Sequence, residues 1–77
     1  KTTFYTVSID YRDVHGITGM HYIVEARDAE HARQIAIRKA DAEPLFLEYG
    51  VAGVEERRTP LRHGHRVLTE DGAYTVE

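Results

Sequence analysis

The stretch Asp28 to Glu43, DAEHARQIAIRKADAE, is the one long segment with a helical period, and the rest of the chain reads as strands on either side of it. At about 100° per residue, Ala29, Ala32, Ala36 and Ala40 form a narrow alanine stripe. Ile35 and Ile37 stand on its two shoulders, with Glu30, Gln34, Arg38 and Asp41 on the far side. Small side chains let a helix axis lie close to a sheet, and the isoleucines fill the gaps beside it. Lys39 falls near the Ile35 side, where its stem can lie on apolar surface and its ammonium reach water. Asp28 is the N-cap candidate, without a capping box, because His31 stands where Glu or Gln would reach back. Pro44 ends the regular pattern or opens a further turn.

Working outward, Phe4 to Arg12 alternates as a strand, with Tyr5, Val7, Ile9 and Tyr11 on one face and Thr6, Ser8, Asp10 and Arg12 on the other. Such alternation belongs to a half-exposed antiparallel sheet. Asp13 to Gly19 is expected to be a loop, followed by a strand from Met20 to Ala26 whose inward series is Met20, Tyr22, Val24 and Ala26. So short a connection makes the pair a hairpin. Val14, Ile17 and Ile23 would then form a small exposed apolar spot.

Beyond the helix, Leu45 to Tyr49 reads as a short helical turn stopped by Gly50, with the start of a strand as the alternative. Val51 to Arg58 reads as a third strand, Ala52 and Val54 on one face and Glu55 and Arg57 on the other. Thr59 to Gly64 is a loop. Arg66 to Thr69 and Ala73 to Val76 bracket Glu70-Asp71-Gly72, a tight-turn signal. An isolated hairpin is marginal, so this one should extend the main sheet or pack on a partner. The expectation is one α+β domain over residues 1–77, in the order β-β-α-β-β-β, with one helix on a small, mostly antiparallel sheet.

The chain has 77 residues, no cysteine and a formal net charge of −3. A domain of this size buries little core, so oligomerisation would be a ready source of further burial. Without cysteine there is no disulfide, thiolate nucleophile or cysteine-based metal site, and a cytoplasmic location is the expectation. The sequence has no apolar run long enough to span a bilayer. It opens on Lys1 rather than Met, so the expectation is a trimmed chain or one that has lost a disordered start. Charge is unevenly spread, since Arg57, Arg58, Arg62 and Arg66 crowd together with His63 and His65.

His63 and His65 could share a metal with Glu55 or Asp13, but two exposed loop histidines beside arginines are the simpler reading. Asp10, Asp13, Glu25 and Glu48 form no pair with spacing suited to acid-base work. Ser8 is the one serine and lies mid-strand, without a nucleophile elbow. Phosphate-binding glycine motifs are absent too, so neither enzyme activity nor a cofactor is expected.

Two binding readings remain. A nucleic-acid-binding domain would use the basic stretch 57–66, helped by Arg38 and Lys39, although Tyr5, Tyr11 and Tyr22 belong to the inward series and neighbouring acids would repel phosphate. A protein-interaction module is the leading expectation, because a short sheet exposes edges that can dimerise or accept a partner's strand. Arginine and tyrosine favour interface hot spots, which selects Arg57, Arg58, Arg62, His63, His65, Arg66, Tyr74 and Tyr49 as partner-binding candidates. A partner with an acidic rim would suit them. A homodimer through a sheet edge, structural or accessory in role, is a further alternative.

Three pieces, Glu25-Ala26-Arg27-Asp28, the alanine-rich Ala32 to Ala40, and Val67 to Tyr74 with its Asp-Gly turn, give the chain a layout that resembles small phage- or mobile-element-encoded proteins. Some inhibitors of bacterial CRISPR defence look like this. The resemblance implies binding to a host protein surface, occasionally one that normally holds nucleic acid, and it assigns no functional residue.

Overall fold

The structure is a computed structural model that describes all 77 residues. Its elements are β1 (Thr3–Asp13), β2 (Gly16–Ala26), α1 (Ala29–Asp41), β3 (Glu48–Glu56), β4 (Arg66–Thr69) and β5 (Gly72–Thr75). They make the expected α+β fold, with a five-stranded sheet in the order β3-β1-β2-β4-β5. Antiparallel pairing joins β1 to β2 and β3, and β4 to β5, while β2 and β4 run parallel. The C-terminal hairpin therefore extends the main sheet.

Helix α1 covers one face. Asp28 caps it, its Oδ1 accepting the His31 N–H at 2.8 Å, and Ala32, Ile35, Ala36 and Ala40 are the residues it buries. Ala29, assigned to the same stripe, is exposed in the first turn. Beneath the helix lie Tyr5, Val7, Ile9, Tyr22, Val24 and Leu68. A fully buried Val or Ile contributes about 1.5–3 kcal/mol, so this layer carries most of the fold.

Three local expectations need correction. The hairpin loop is only Val14-His15, not Asp13 to Gly19, because Asp13 Oδ1 holds the His15 N–H at 2.8 Å and Gly16 takes φ +124°, a conformation side-chain-bearing residues avoid. Leu45 to Tyr49 is not a helical turn: Leu47 N–H bonds the Arg12 carbonyl at 2.8 Å, and β3 begins at Glu48. Phe46 nonetheless stacks on Tyr11, ring centroids 4.2 Å apart. In β3 a bulge opposite Ser8/Ile9 shifts the register, so Val51 and Val54 both meet the helix side while Ala52 is exposed. A strict two-residue period could not show that.

Because β2 and β3 run the same way, α1 is a crossover from one to the other over β1. The chain then returns in the opposite direction, from β3 across β1 and β2 to β4. Right-handed connections in both directions place the return on the face opposite α1. In agreement, Arg57 at the start of segment 57–65 donates from Nη1 to Thr6 Oγ1 on that face at 3.3 Å. On that face Val67 is 0 % exposed although it lies outside the main core, which marks a second, smaller packed layer. Ile23 and Tyr74 pair with Val67 from either side. Ile23 is thus half-buried in this layer, apart from the exposed Val14 and Ile17 at the hairpin tip.

Candidate functional site

Helix α1 packs on β1, β2 and β3, touches β4 and stops short of β5. The uncovered strip of sheet becomes a groove of about 390 Å³ between the helix and the C-terminal hairpin. Its apolar part is Ile35, Leu68 and Ala73, and its cations are Arg38 and Lys39 from the last turn of α1 and Arg66 from β4. The helical period puts Lys39 beside Ile35, while Arg38, which the same period sets on the far side, reaches round to the groove and the Glu70 carbonyl. Pairing of Arg66 with Thr75 and of Leu68 with Ala73 puts those four residues on the helix side of the sheet.

Glu70 and Asp71, in the β4–β5 turn, close one end of the groove. Glu70 is already engaged: its Oε1 lies 2.5 Å from His31 Nε2 and 3.6 Å from Arg27 Nη1. Arg38 Nη1 donates to the Glu70 carbonyl at 3.2 Å, which orients that guanidinium without neutralising it. The ion pairs of the molecule are Arg12–Glu48 and Arg27–Glu70, and His31 adds a hydrogen bond to Glu70. Arg38, Lys39 and Arg66 therefore face the groove with no carboxylate in contact.

The sequence cluster from Arg57 to Arg66 does not stay together. Arg57 is pinned to the open face, Nη1 on Thr6 and Nη2 on Thr59 Oγ1 at 3.2 Å, and its Nε is buried without a partner. Arg58 lies with Glu55 and Glu56 at the end of β3. Arg62 and His63 belong to a tight turn in which His65 N–H donates to the Arg62 carbonyl at 3.1 Å, and His65 Nδ1 accepts the Arg62 N–H at 3.1 Å. Arg66 alone reaches the groove, where it meets the helix cations Arg38 and Lys39. Their convergence is invisible in the sequence, since it depends on how far the helix extends over the sheet.

The two tyrosines also separate. Tyr49 donates to Asp41 Oδ1 at 2.5 Å and ties β3 to the end of α1, and that bond, followed by burial, pushes its hydroxyl pKa up. Tyr74 sits on the opposite face of β5 from the groove, 40 % exposed. Its hydroxyl donates to Glu25 Oε1 at 3.1 Å, and desolvation, then that bond, raises its pKa.

No three or more His, Cys, Asp or Glu side chains gather as a metal site would require, and His63 and His65 acquire no third ligand. No helix is long and apolar enough to cross a membrane. No family model, curated protein or solved structure matches the chain.

Proposed function

We propose that this is a protein-interaction module that receives an acidic, extended segment along the free edge of β5, beside the cationic groove. One observation carries the reading: Arg38, Lys39 and Arg66, all without carboxylate partners, converge on an apolar-floored groove next to a strand with no neighbour on its outer side. Strand addition takes its affinity from main-chain hydrogen bonds and its selectivity from side-chain pockets. Here the selecting groups are cations. An inhibitor that covers a host protein's surface, as the resemblance to small phage-type proteins implies, is one form such a module takes.

The same cations suit phosphate, which keeps nucleic acid as the second reading. Against it, Arg57, Arg58 and Arg62, which a phosphate backbone would draw together, lie elsewhere. The test compares the wild type with a groove variant carrying Arg38→Glu, Lys39→Glu and Arg66→Glu, and with Arg58→Glu as control. Capture of protein partners from source cells should be lost in the groove variant and kept in the control, and labelled DNA and RNA should not bind in low salt. Equal capture by all three overturns the reading, and salt-sensitive nucleic-acid binding that needs the three cations replaces it with the second.

A further inference from the structure

The Val76 N–H donates to the His65 carbonyl and the Gly64 N–H to the Val76 carbonyl, both at 2.8 Å. Hydrogen-bonded pairs alternate along an antiparallel ladder, so Val67–Tyr74 and Thr69–Gly72 are the next ones. Ala73 and Thr75, and Glu77 by the same alternation, then direct their N–H and C=O groups away from β4. Nothing else in the sheet meets them, because β5 is its last strand. Ala73 and Thr75 have their side chains on the groove face, and Tyr74 has its own on the other.

Resting on the strand-addition reading, we propose that the strand received is β5 of a second copy of this chain, antiparallel, about a two-fold axis through Thr75. A two-fold axis perpendicular to the sheet keeps each residue on its face. In this register Thr75 meets Thr75 of the second copy, Tyr74 meets Val76, and Ala73 meets Glu77. Each pair is favourable in kind: a threonine pair, an aromatic on a β-branched side chain, and a carboxylate delivered to the groove face. That carboxylate enters where Arg38, Lys39 and Arg66 lack one. The neighbouring symmetric register, centred on Tyr74, would set Asp71 against Glu77, a like-charge pair. Charge therefore disfavours that register against the one centred on Thr75.

The opposite edge is a poorer candidate. Strand β3 is broken by its bulge, and Gly50 and Gly53 offer an added strand nothing to pack on. Pairing through β5 makes one ten-stranded sheet, and the second copy completes each groove with its Glu77. Two short strands bury less than the ~1,200–2,000 Å² of a standard interface, so the dimer exchanges readily.

Sedimentation velocity over a concentration series tests this on the intact chain. The wild type should pass from monomer to dimer, and Glu77→Lys should weaken association by about tenfold or more. Thr75→Pro removes an N–H that serves no bond within the chain, so it should abolish the dimer and leave the circular dichroism unchanged. The chain has no cysteine. Under mild oxidation Thr75→Cys should form a disulfide-linked dimer and Ala73→Cys should not, since a disulfide needs Cα atoms within about 7 Å and only Thr75 faces itself. A wild type monomeric at every concentration, a dimer indifferent to Thr75→Pro and Glu77→Lys, or equal cross-linking at Ala73 overturns the proposal. A monomeric wild type whose partner capture still requires the three cations would overturn the second copy alone and leave the interaction reading standing.

Discussion

His31 Nε2 lies 2.5 Å from Glu70 Oε1, so the first turn of α1 is tied to the β4–β5 turn across 39 residues of sequence. The tautomer follows from the other ring nitrogen: the Arg27 N–H donates to Nδ1 at 3.1 Å, so the proton is on Nε2 and points at the carboxylate. The imidazole is 11 % exposed and Glu70 54 %, so water screens one partner far more than the other. Replacing His31 or Glu70 with Ala should each cost about 1 kcal/mol, the value of one such hydrogen bond, with the exposed side of the pair drawing it downward. Glu70→Gln keeps an acceptor and should cost less. Urea titrations of the single and double variants check this, and additive losses would show that the two side chains do not act together.

Gly64 is the residue that lets the return segment enter β4. Arg62-His63-Gly64-His65 is a type II turn closed by the His65-to-Arg62 bond, and Gly64 and His65 then stand together opposite Val76 as a glycine bulge. Its φ is +91°, and a Cβ there would meet nothing within 4 Å. The cost of Gly64→Ala is therefore conformational rather than steric, about 1–2 kcal/mol. Gly53→Ala also meets open space, and its φ lies outside the positive range, so it should be neutral or slightly stabilising. Matching urea midpoints for the two variants would refute the turn geometry.

Helix and inward strand series could be read from the sequence because each obeys one period over many residues, and the N-cap because Asp28 stands just before the helical period begins. The misreadings sit where a single contact overrides the period. One bulge in β3 moved Val51 to the helix side, one backbone bond from Leu47 to Arg12 drew an expected helical turn into extended chain, and one Asp13 side chain shortened a loop to two residues. The binding candidates dispersed for a different reason. Arg57, Arg62 and Arg66 are close in sequence, but the chain between them crosses from β3 past β1 and β2 to β4, so Arg66 finds its charged neighbours on α1 instead.

Val67 measures whether the open face is a packed layer or a wet surface. It is fully buried outside the main core, on the face that the return segment recrosses. Val67→Ala removes two methyl groups and should cost about 2 kcal/mol, the transfer of two carbons plus part of the cavity they leave. Val14→Ala, at the exposed hairpin tip, is the control and should fall within about 0.5 kcal/mol of the wild type. Equal urea midpoints for the two variants would show that the return segment does not close over the sheet.

The tyrosines make the fold sensitive to alkali. Tyr5, Tyr22, Tyr49 and Tyr74 all have hydroxyl pKa values raised above 10.0, chiefly by desolvation for Tyr5, Tyr22 and Tyr74 and by the bond to Asp41 for Tyr49. A phenol with a raised folded pKa keeps its proton more tightly in the native state than in the unfolded chain. The stability linked to it is complete below the unfolded value near 10 and is lost as pH rises through the folded values. Stability measured by urea midpoint should accordingly fall above about pH 10, and phenolate absorbance in the native protein should lag that of the unfolded chain. Tyr49→Phe removes one of the four groups and should make the alkaline decline shallower, while lowering neutral-pH stability by about 1 kcal/mol through loss of the Asp41 bond. Overlapping phenolate titrations of folded and unfolded protein would remove the linkage, because a tyrosine that titrates alike in both states cannot make stability depend on pH.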